Sequence, residues 1–261
     1  MRKIGINLFA RSDISIADYI RMVKDLGFDS VFCLLRPQEV MYEVTNLMQK
    51  AGLTYDTLHA PCKNVNALWY EGDDGDNEYS SLTHCIDMCT ELGAPIAVVH
   101  MSYGAQHIPP SDIGRARFIN LVDYAAKKGV RIAFENISKL ANLAWAFEEF
   151  AGADNVGFCY DCGHEACFTP GREYLPFFGN RLICTHIHDN DGVKDLHLLP
   201  FDGNIDFCRV TNQIRQTGFQ GTLMLEVSGN RDAYQHVTTE AYLMKASKIA
   251  MKLRDMIDRP E

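Results

Sequence analysis

Eight short apolar runs, separated by longer stretches of helical periodicity, constrain this chain more than any other feature of it. The runs fall at residues 4–8, 30–34, 54–59, 96–100, 131–136, 156–161, 182–188 and 221–226. Runs of this length, bounded by turn-forming residues, read as buried strands. Between them, apolar residues recur at three- and four-residue spacing over 16–26, 39–51, 79–92, 111–128 and 145–151, and again over 233–258. Gly27, Gly52, Gly93 and Gly129 follow four of these stretches, where a residue free to turn left-handed closes a helix. Strands alternating with helices imply a parallel sheet with crossover connections, and eight such units predict a parallel eight-stranded (β/α)8 TIM barrel.

With 261 residues and 47% hydrophobic content the chain can bury one large core, and residues 1–261 are expected to form a single barrel domain. No linker, low-complexity tract or charge block suggests a second domain. The first apolar run is too short, and too soon interrupted by charge, for a signal peptide or a membrane span. Nine cysteines, an odd number spread over a long chain, argue against a secreted disulfide framework and for reduced thiols, so a cytoplasmic location without membrane association is expected. A net charge of -9 offers no general attraction to a polyanion, which makes nucleic acid a poor partner and a small molecule the expected one. Homo-oligomerisation stays open.

Chemistry enters at the C-terminal ends of the strands, the face on which barrel enzymes build their sites. Strand three ends in His59-Ala-Pro61, strand four in His100, strand five in Glu135-Asn136, strand six in Asp161, strand seven in His186-Ile-His188 and strand eight in Glu226. His164, Asp195 and His197 follow within a few residues, and of the nine histidines only His84, His107 and His236 fall outside this set. A single His or Glu at a strand end is usually a hydrogen-bonded structural group. Glu135, Asp161, His186 and Glu226 together are different, because clustered carboxylates are costly to bury without a cation. These four are the expected metal ligands. His59, His100, His164, Asp195 and His197 are candidates for further metal or substrate contacts, and His188, on the face of His186 at the period of two, is a candidate to replace it or to line the pocket. Mixed carboxylate and imidazole donors favour ions such as Mn²⁺ or Zn²⁺ over Ca²⁺.

Cys159-Tyr-Asp-Cys162 has CxxC spacing but straddles a strand end rather than a helix start, which does not suit a thioredoxin-like role. Asp202-Gly-Asn204 reads as a turn leading to a helix capped by Asp206. There is no Gly-rich phosphate loop and no GxSxG elbow.

The segments His59-Ala-Pro61, Phe134-Glu-Asn136, Tyr160-Asp-Cys-Gly-His164, His186-Ile-His-Asp-Asn190, Asp195-Leu-His197 with 199–207, and Leu225-Glu226 make the chain resemble the xylose isomerase-like barrel superfamily of sugar phosphate isomerases and epimerases. The resemblance covers nearly the whole chain. It implies one divalent ion, often Mn²⁺, on Glu135, Asp161, His186 and Glu226, with Glu135 and Glu226 as proton carriers and His164 on a substrate hydroxyl. It implies a sugar or sugar phosphate as substrate, although that family commonly carries an arginine near the position of His197. The chain also resembles the apurinic endonucleases of the endonuclease IV type, which bind three zinc ions. His59, His100, Glu135, Asp161, His164, His186, Asp195, His197 and Glu226 match their ligands in type and order. A metal-dependent isomerase or epimerase is the expected activity, with one ion favoured and up to three allowed; phosphodiester hydrolysis at a trinuclear zinc centre is the alternative.

Overall fold

Eight parallel strands alternate with helices in the computed structural model, which describes residues 1–9, 11–104, 108–138 and 140–259. The order is β1 (Ile4–Asn7), α1 (Ile16–Asp25), β2 (Ser30–Leu34), α2 (Gln38–Ala51), β3 (Thr54–His59), α3 (Asp73–Leu92), β4 (Ile96–Val99) and α4 (Asp112–Lys128). It continues with β5 (Arg131–Glu135), α5 (Leu140–Glu149), β6 (Val156–Asp161), α6 (Cys162–Phe168), α7 (Leu175–Phe178), β7 (Leu182–His186), α8 (Phe207–Gln216), β8 (Leu223–Leu225) and α9 (Thr239–Asp258). The sheet runs β7-β6-β5-β4-β3-β2-β1-β8. Beyond the regular ladder, Ile187 N donates to Met224 O at 2.8 Å and Glu226 N to Ile187 O at 3.1 Å, which brings the two edges together as a (β/α)8 barrel. Among the described residues no helix is long and apolar enough to cross a membrane.

Two cores hold this arrangement. A large one lies between the strands and the surrounding helices, and a small one of Ile96, Val98, Ala133, Cys159 and Cys184 is buried apart from it. His100, Glu135, Asp161 and His186 stand two residues further along the same strands as Val98, Ala133, Cys159 and Cys184, so they continue that inward face to the rim. The strand that reads polar at its end therefore delivers its donor to the barrel mouth.

The helix boundaries depart from the periodic pattern where that pattern is blind. α3 begins at Asp73 rather than 79: its first turn carries Asp73, Asp74 and Asp76, which suit the positive end of a helix dipole but show no apolar period. α9 begins at Thr239, capped by Thr238, and Asp232–Tyr234 is a separate 3₁₀ turn. α6 and α7 are too short to show a period. Cys162 opens α6, so the CxxC segment does reach a helix start; both its thiols are nonetheless pushed well above the usual range by burial, against a redox role. Gly52, Gly93 and Gly129 are left-handed caps, and Asp206 caps α8 by accepting from Cys208 N and Arg209 N.

Candidate metal centre

The expected donors reach the barrel mouth from the ends of β3 to β8, from the first turn of α6 for His164, and from the connection between β7 and α8 for Asp195 and His197. His59, His100, Glu135, Asp161, His164, His186 and His188 are buried, whereas Asp195, His197 and Glu226 are partly exposed. Donor atoms of Glu135, Asp161, His186 and Glu226 all lie within 4.8 Å of one another, as do those of His59, Glu135 and His186, and those of His188, His197 and Glu226. His186 Nδ1 is 2.9 Å from Glu135 Oε1 and 3.0 Å from Glu226 Oε2. One ring nitrogen can give its proton to only one of these oxygens. Glu226 Oε2 in fact has no hydrogen-bond partner despite its burial, and neither does His186 Nε2.

The histidines around this set are turned in a common way. Nδ1 of His59 lies 2.7 Å from Ala60 O, Nδ1 of His164 lies 3.0 Å from Asn136 O, and Nδ1 of His197 lies 3.1 Å from Glu226 O. A carbonyl can only accept, so Nδ1 carries the proton in each ring and Nε2 of the neutral ring presents a bare lone pair. Those Nε2 atoms face carboxylates: His59 Nε2 is 3.1 Å from Glu135 Oε2 and also 3.1 Å from His100 Nε2, His164 Nε2 is 3.5 Å from Asp195 Oδ2, and His197 Nε2 is 3.0 Å from the same oxygen. His100 Nε2 closes the first group at 2.8 Å from Glu135 Oε2. Imidazoles fixed by a backbone carbonyl and aimed at carboxylates have the arrangement of metal-ligating histidines.

Without a cation the balance falls to protons. Burial disfavours charge on Glu135, yet His186 and His100 more than offset it and hold its carboxyl well below the usual range. Burial likewise opposes charge on His186, which Glu226 and Glu135 nonetheless hold well above the usual imidazole range. His164 is raised to about 10 and His197 to about 9, in both cases against burial and by the neighbouring carboxylates. Glu226 and Asp195 are held low by the same partners, while burial alone wins at His100 and lowers it. The donors therefore suit a divalent ion, which would replace these protons as counter-charge.

Several residues that shape the site carry no signal in sequence periodicity. Asn136 pins the end of β6 by donating from Nδ2 to Asp161 O and accepting Asp161 N at Oδ1, both at 2.8 Å. Asp161 in turn caps α6, accepting His164 N, and His188 Nε2 sits 3.1 and 3.2 Å from its two oxygens. His188 thus joins the network through Asp161, while His186 joins it through Glu135 and Glu226. A Cβ at Gly163 would lie 1.9 Å from the His188 ring, so the motif Asp-Cys-Gly-His needs its glycine. His197 is held at φ 48, an uncommon conformation for a non-glycine residue of the kind that collects at functional sites. Of the remaining histidines, His84 and His236 are exposed and His107 lies outside the described residues.

Over the donors opens a cavity of about 660 Å³, whose floor includes His59, His100, His164, Asp195, His197 and Glu226. Its size is that of small-molecule sites.

A parallel barrel whose strand ends converge on one buried set of carboxylates and imidazoles defines a class of candidate metal-site barrels. Within that class the chain belongs to the xylose isomerase-like TIM barrel family, whose family model matches residues 20–246. It is 34% identical over 192 residues to protein y4fM of Sinorhizobium fredii, covering 67% of this chain and 60% of that one, so the match spans less than two thirds of that relative. It is 27% identical over 256 residues to protein MJ1311 of Methanocaldococcus jannaschii, covering 88% of this chain and 85% of the relative. Similar solved structures include the IolI protein with a bound zinc atom (TM-score 0.79, 19% identity, 98% and 99% of the two chains) and an L-ribulose 3-epimerase (TM-score 0.73, 17% identity, 100% of both). A D-tagatose 3-epimerase-like protein is similar at TM-score 0.74 and 19% identity over 98% of each chain. At these identities the structures share the fold.

Proposed function

We propose that this protein is a divalent-metal-dependent sugar isomerase or epimerase. The observation that carries the reading is the approach of Glu135 and Glu226 to one His186 nitrogen, at 2.9 and 3.0 Å, from strands three apart on the rim. A substrate lying between them offers each carboxylate a different face. One carboxylate takes a proton from the carbon beside a carbonyl and the other returns it, which inverts that carbon; return by the same carboxylate to the neighbouring carbon interconverts aldose and ketose. His164, beside Asp161 and Asp195, is placed to hold a substrate hydroxyl. Mn²⁺ or Zn²⁺ held by Glu135, Asp161, His186 and Glu226 would supply positive charge where the carbonyl oxygen becomes negative. The sugar epimerases among the similar structures support this reading, and the zinc-bearing one supports a metal.

Exchange of substrate protons with deuterated water, over a panel of aldoses and ketoses and their phosphates, is the test. Glu226→Gln is nearly isosteric, so it is expected to keep the fold and lower exchange at least 100-fold. Exchange at the wild-type rate would remove Glu226 from the mechanism.

A second reading, phosphodiester hydrolysis at a multinuclear zinc centre, is favoured by one observation: His164 and His197 turn Nε2 toward Asp195, outside the central four-residue set, and His59 adds an imidazole to Glu135 within it. Against it, no Lys or Arg lies among the described residues lining the cavity, and phosphate neutralisation by cations supplies much of the affinity for DNA. Nicking of abasic duplex DNA at low salt separates the two.

A further inference from the structure

The cavity lining divides by chemistry. Its floor is ionisable, but the wall above the ends of β2 to β6 is formed by Leu34, Cys62, Tyr103, Ile137, Cys167 and Phe168. Leu34 is 52% exposed, Tyr103 45% and Phe168 40%, which leaves a large apolar surface beside a site rich in charge. Phe168 stacks on the His164 ring at 5.1 Å, so the apolar wall starts directly beside the candidate hydroxyl-holding group. The hydroxyl of Ser138, another lining residue, already donates to Gly104 O at 2.9 Å. Scattered apolar residues on a surface mean little, but several that line one cavity mark a binding surface.

Among the described residues of the lining there is no Lys or Arg to pair with a phosphate. α6 begins at the rim, yet its first turn is capped by the Asp161 carboxylate, which takes His164 N and sets a negative charge where an anion would have to sit. A cavity of about 660 Å³ also exceeds what one hexose fills and falls among the sizes of pockets for larger ligands.

Resting on the sugar-carbonyl reading above, we infer that the substrate is an uncharged keto sugar, its carbonyl on a ring carbon other than the acetal carbon, bearing an apolar substituent, an alkyl or aryl aglycone, seated against Leu34, Tyr103 and Phe168, and not a sugar phosphate. The reacting carbons face the donors while the substituent covers the wall. Removing that wall from water on binding gives the preference.

Titration calorimetry on the zinc-loaded protein tests this without turnover, using phenyl and methyl glycosides of the gluco, galacto and manno series and the matching sugar 6-phosphates. At least one series is expected to bind the phenyl glycoside 10-fold or more tighter than the methyl glycoside, and the phosphate no tighter than the parent sugar. Leu34→Ala and Phe168→Ala are each expected to reduce the phenyl-to-methyl ratio at least threefold. A ratio near one in all three series, a ratio that neither variant moves, or tightest binding by a phosphate overturns the inference. The reading it rests on fails separately: if the phenyl preference holds while no carbonyl sugar, with or without an aglycone, exchanges a proton with solvent, the wall binds its ligand but the isomerase assignment is lost.

Discussion

His59 shows how one residue ties the backbone to the chemistry. Its Nδ1 lies 2.7 Å from the carbonyl of its own neighbour Ala60, and that contact alone decides that Nε2 faces Glu135 and His100 with a lone pair. His100 Nε2 can give its single proton to only one of its two neighbours, His59 Nε2 and Glu135 Oε2, so one contact at about 3 Å is left without a proton and is open to a cation. The sequence pattern favours one ion per chain; the orientation of His59, His164 and His197 supports more. His59→Ala is therefore expected to lower the zinc content of saturated protein by about one ion per chain while leaving the fold intact, because loss of a direct ligand costs affinity at its own site. Metal analysis after gel filtration checks it, and an unchanged count of one ion per chain would return His59 to a substrate role. The donors themselves were legible because a polar residue closing an apolar strand stands out. The choice between His186 and His188 was not, since both satisfy a period of two; in the barrel His186 lies against Glu135 and Glu226, and His188 against Asp161.

Among the elements, the connection from β7 to α8 does most to shape the site. Asp189 accepts Asn190 N at 2.8 Å, Gly203 N at 2.9 Å and Ile205 N at 3.0 Å, and its backbone pairs with Leu198. One buried carboxylate thus folds the loop that carries Asp195 and His197 back onto the rim. Asp189→Ala strips three backbone donors of a charged acceptor, and hydrogen bonds to charge are worth about 1.5–3 kcal/mol each without being additive. A net loss of about 2–4 kcal/mol is expected, seen as a lower urea midpoint, together with weaker metal retention. A stability loss below about 0.5 kcal/mol, the size of an ordinary surface change, would show that the loop is held by other means. Strands were readable to within a few residues because burial on both faces leaves continuous apolar runs. The acidic first turn of α3 and the seven residues of α6 were not, because neither shows an apolar period. The apolar wall was also silent: Leu34 ends β2, Tyr103 follows β4 and Phe168 ends α6, and they become neighbours of one cavity only when the barrel closes.

At the scale of the whole molecule, the rim is a store of like charge placed at the mouth of a well-packed barrel. Glu135, Asp161 and Glu226 gather their oxygens within 4.8 Å of one another, on strands whose other contacts are apolar core or backbone ladder. In metal-free protein, protonated His186, His164 and His197 balance these carboxylates, each held in its charged form against the cost of burial. A divalent ion held there would remove that cost and would bind the folded state alone, since the donors meet only when β5 to β8 close the barrel. Free metal at about 100 times its dissociation constant then adds about 2.7 kcal/mol of stability. For a chain somewhat above 150–250 residues that corresponds to roughly 5–10 °C in melting temperature. Chelation followed by verified removal is expected to lower the melting temperature by that amount, and titrating Zn²⁺ or Mn²⁺ back should raise it logarithmically with concentration. The ion that restores stability at the lower free concentration identifies the better fit to the donors. A melting temperature that ignores both chelation and added metal would mean that the carboxylates are satisfied by their imidazole partners alone, and the proposed metal-dependent chemistry would fall with it.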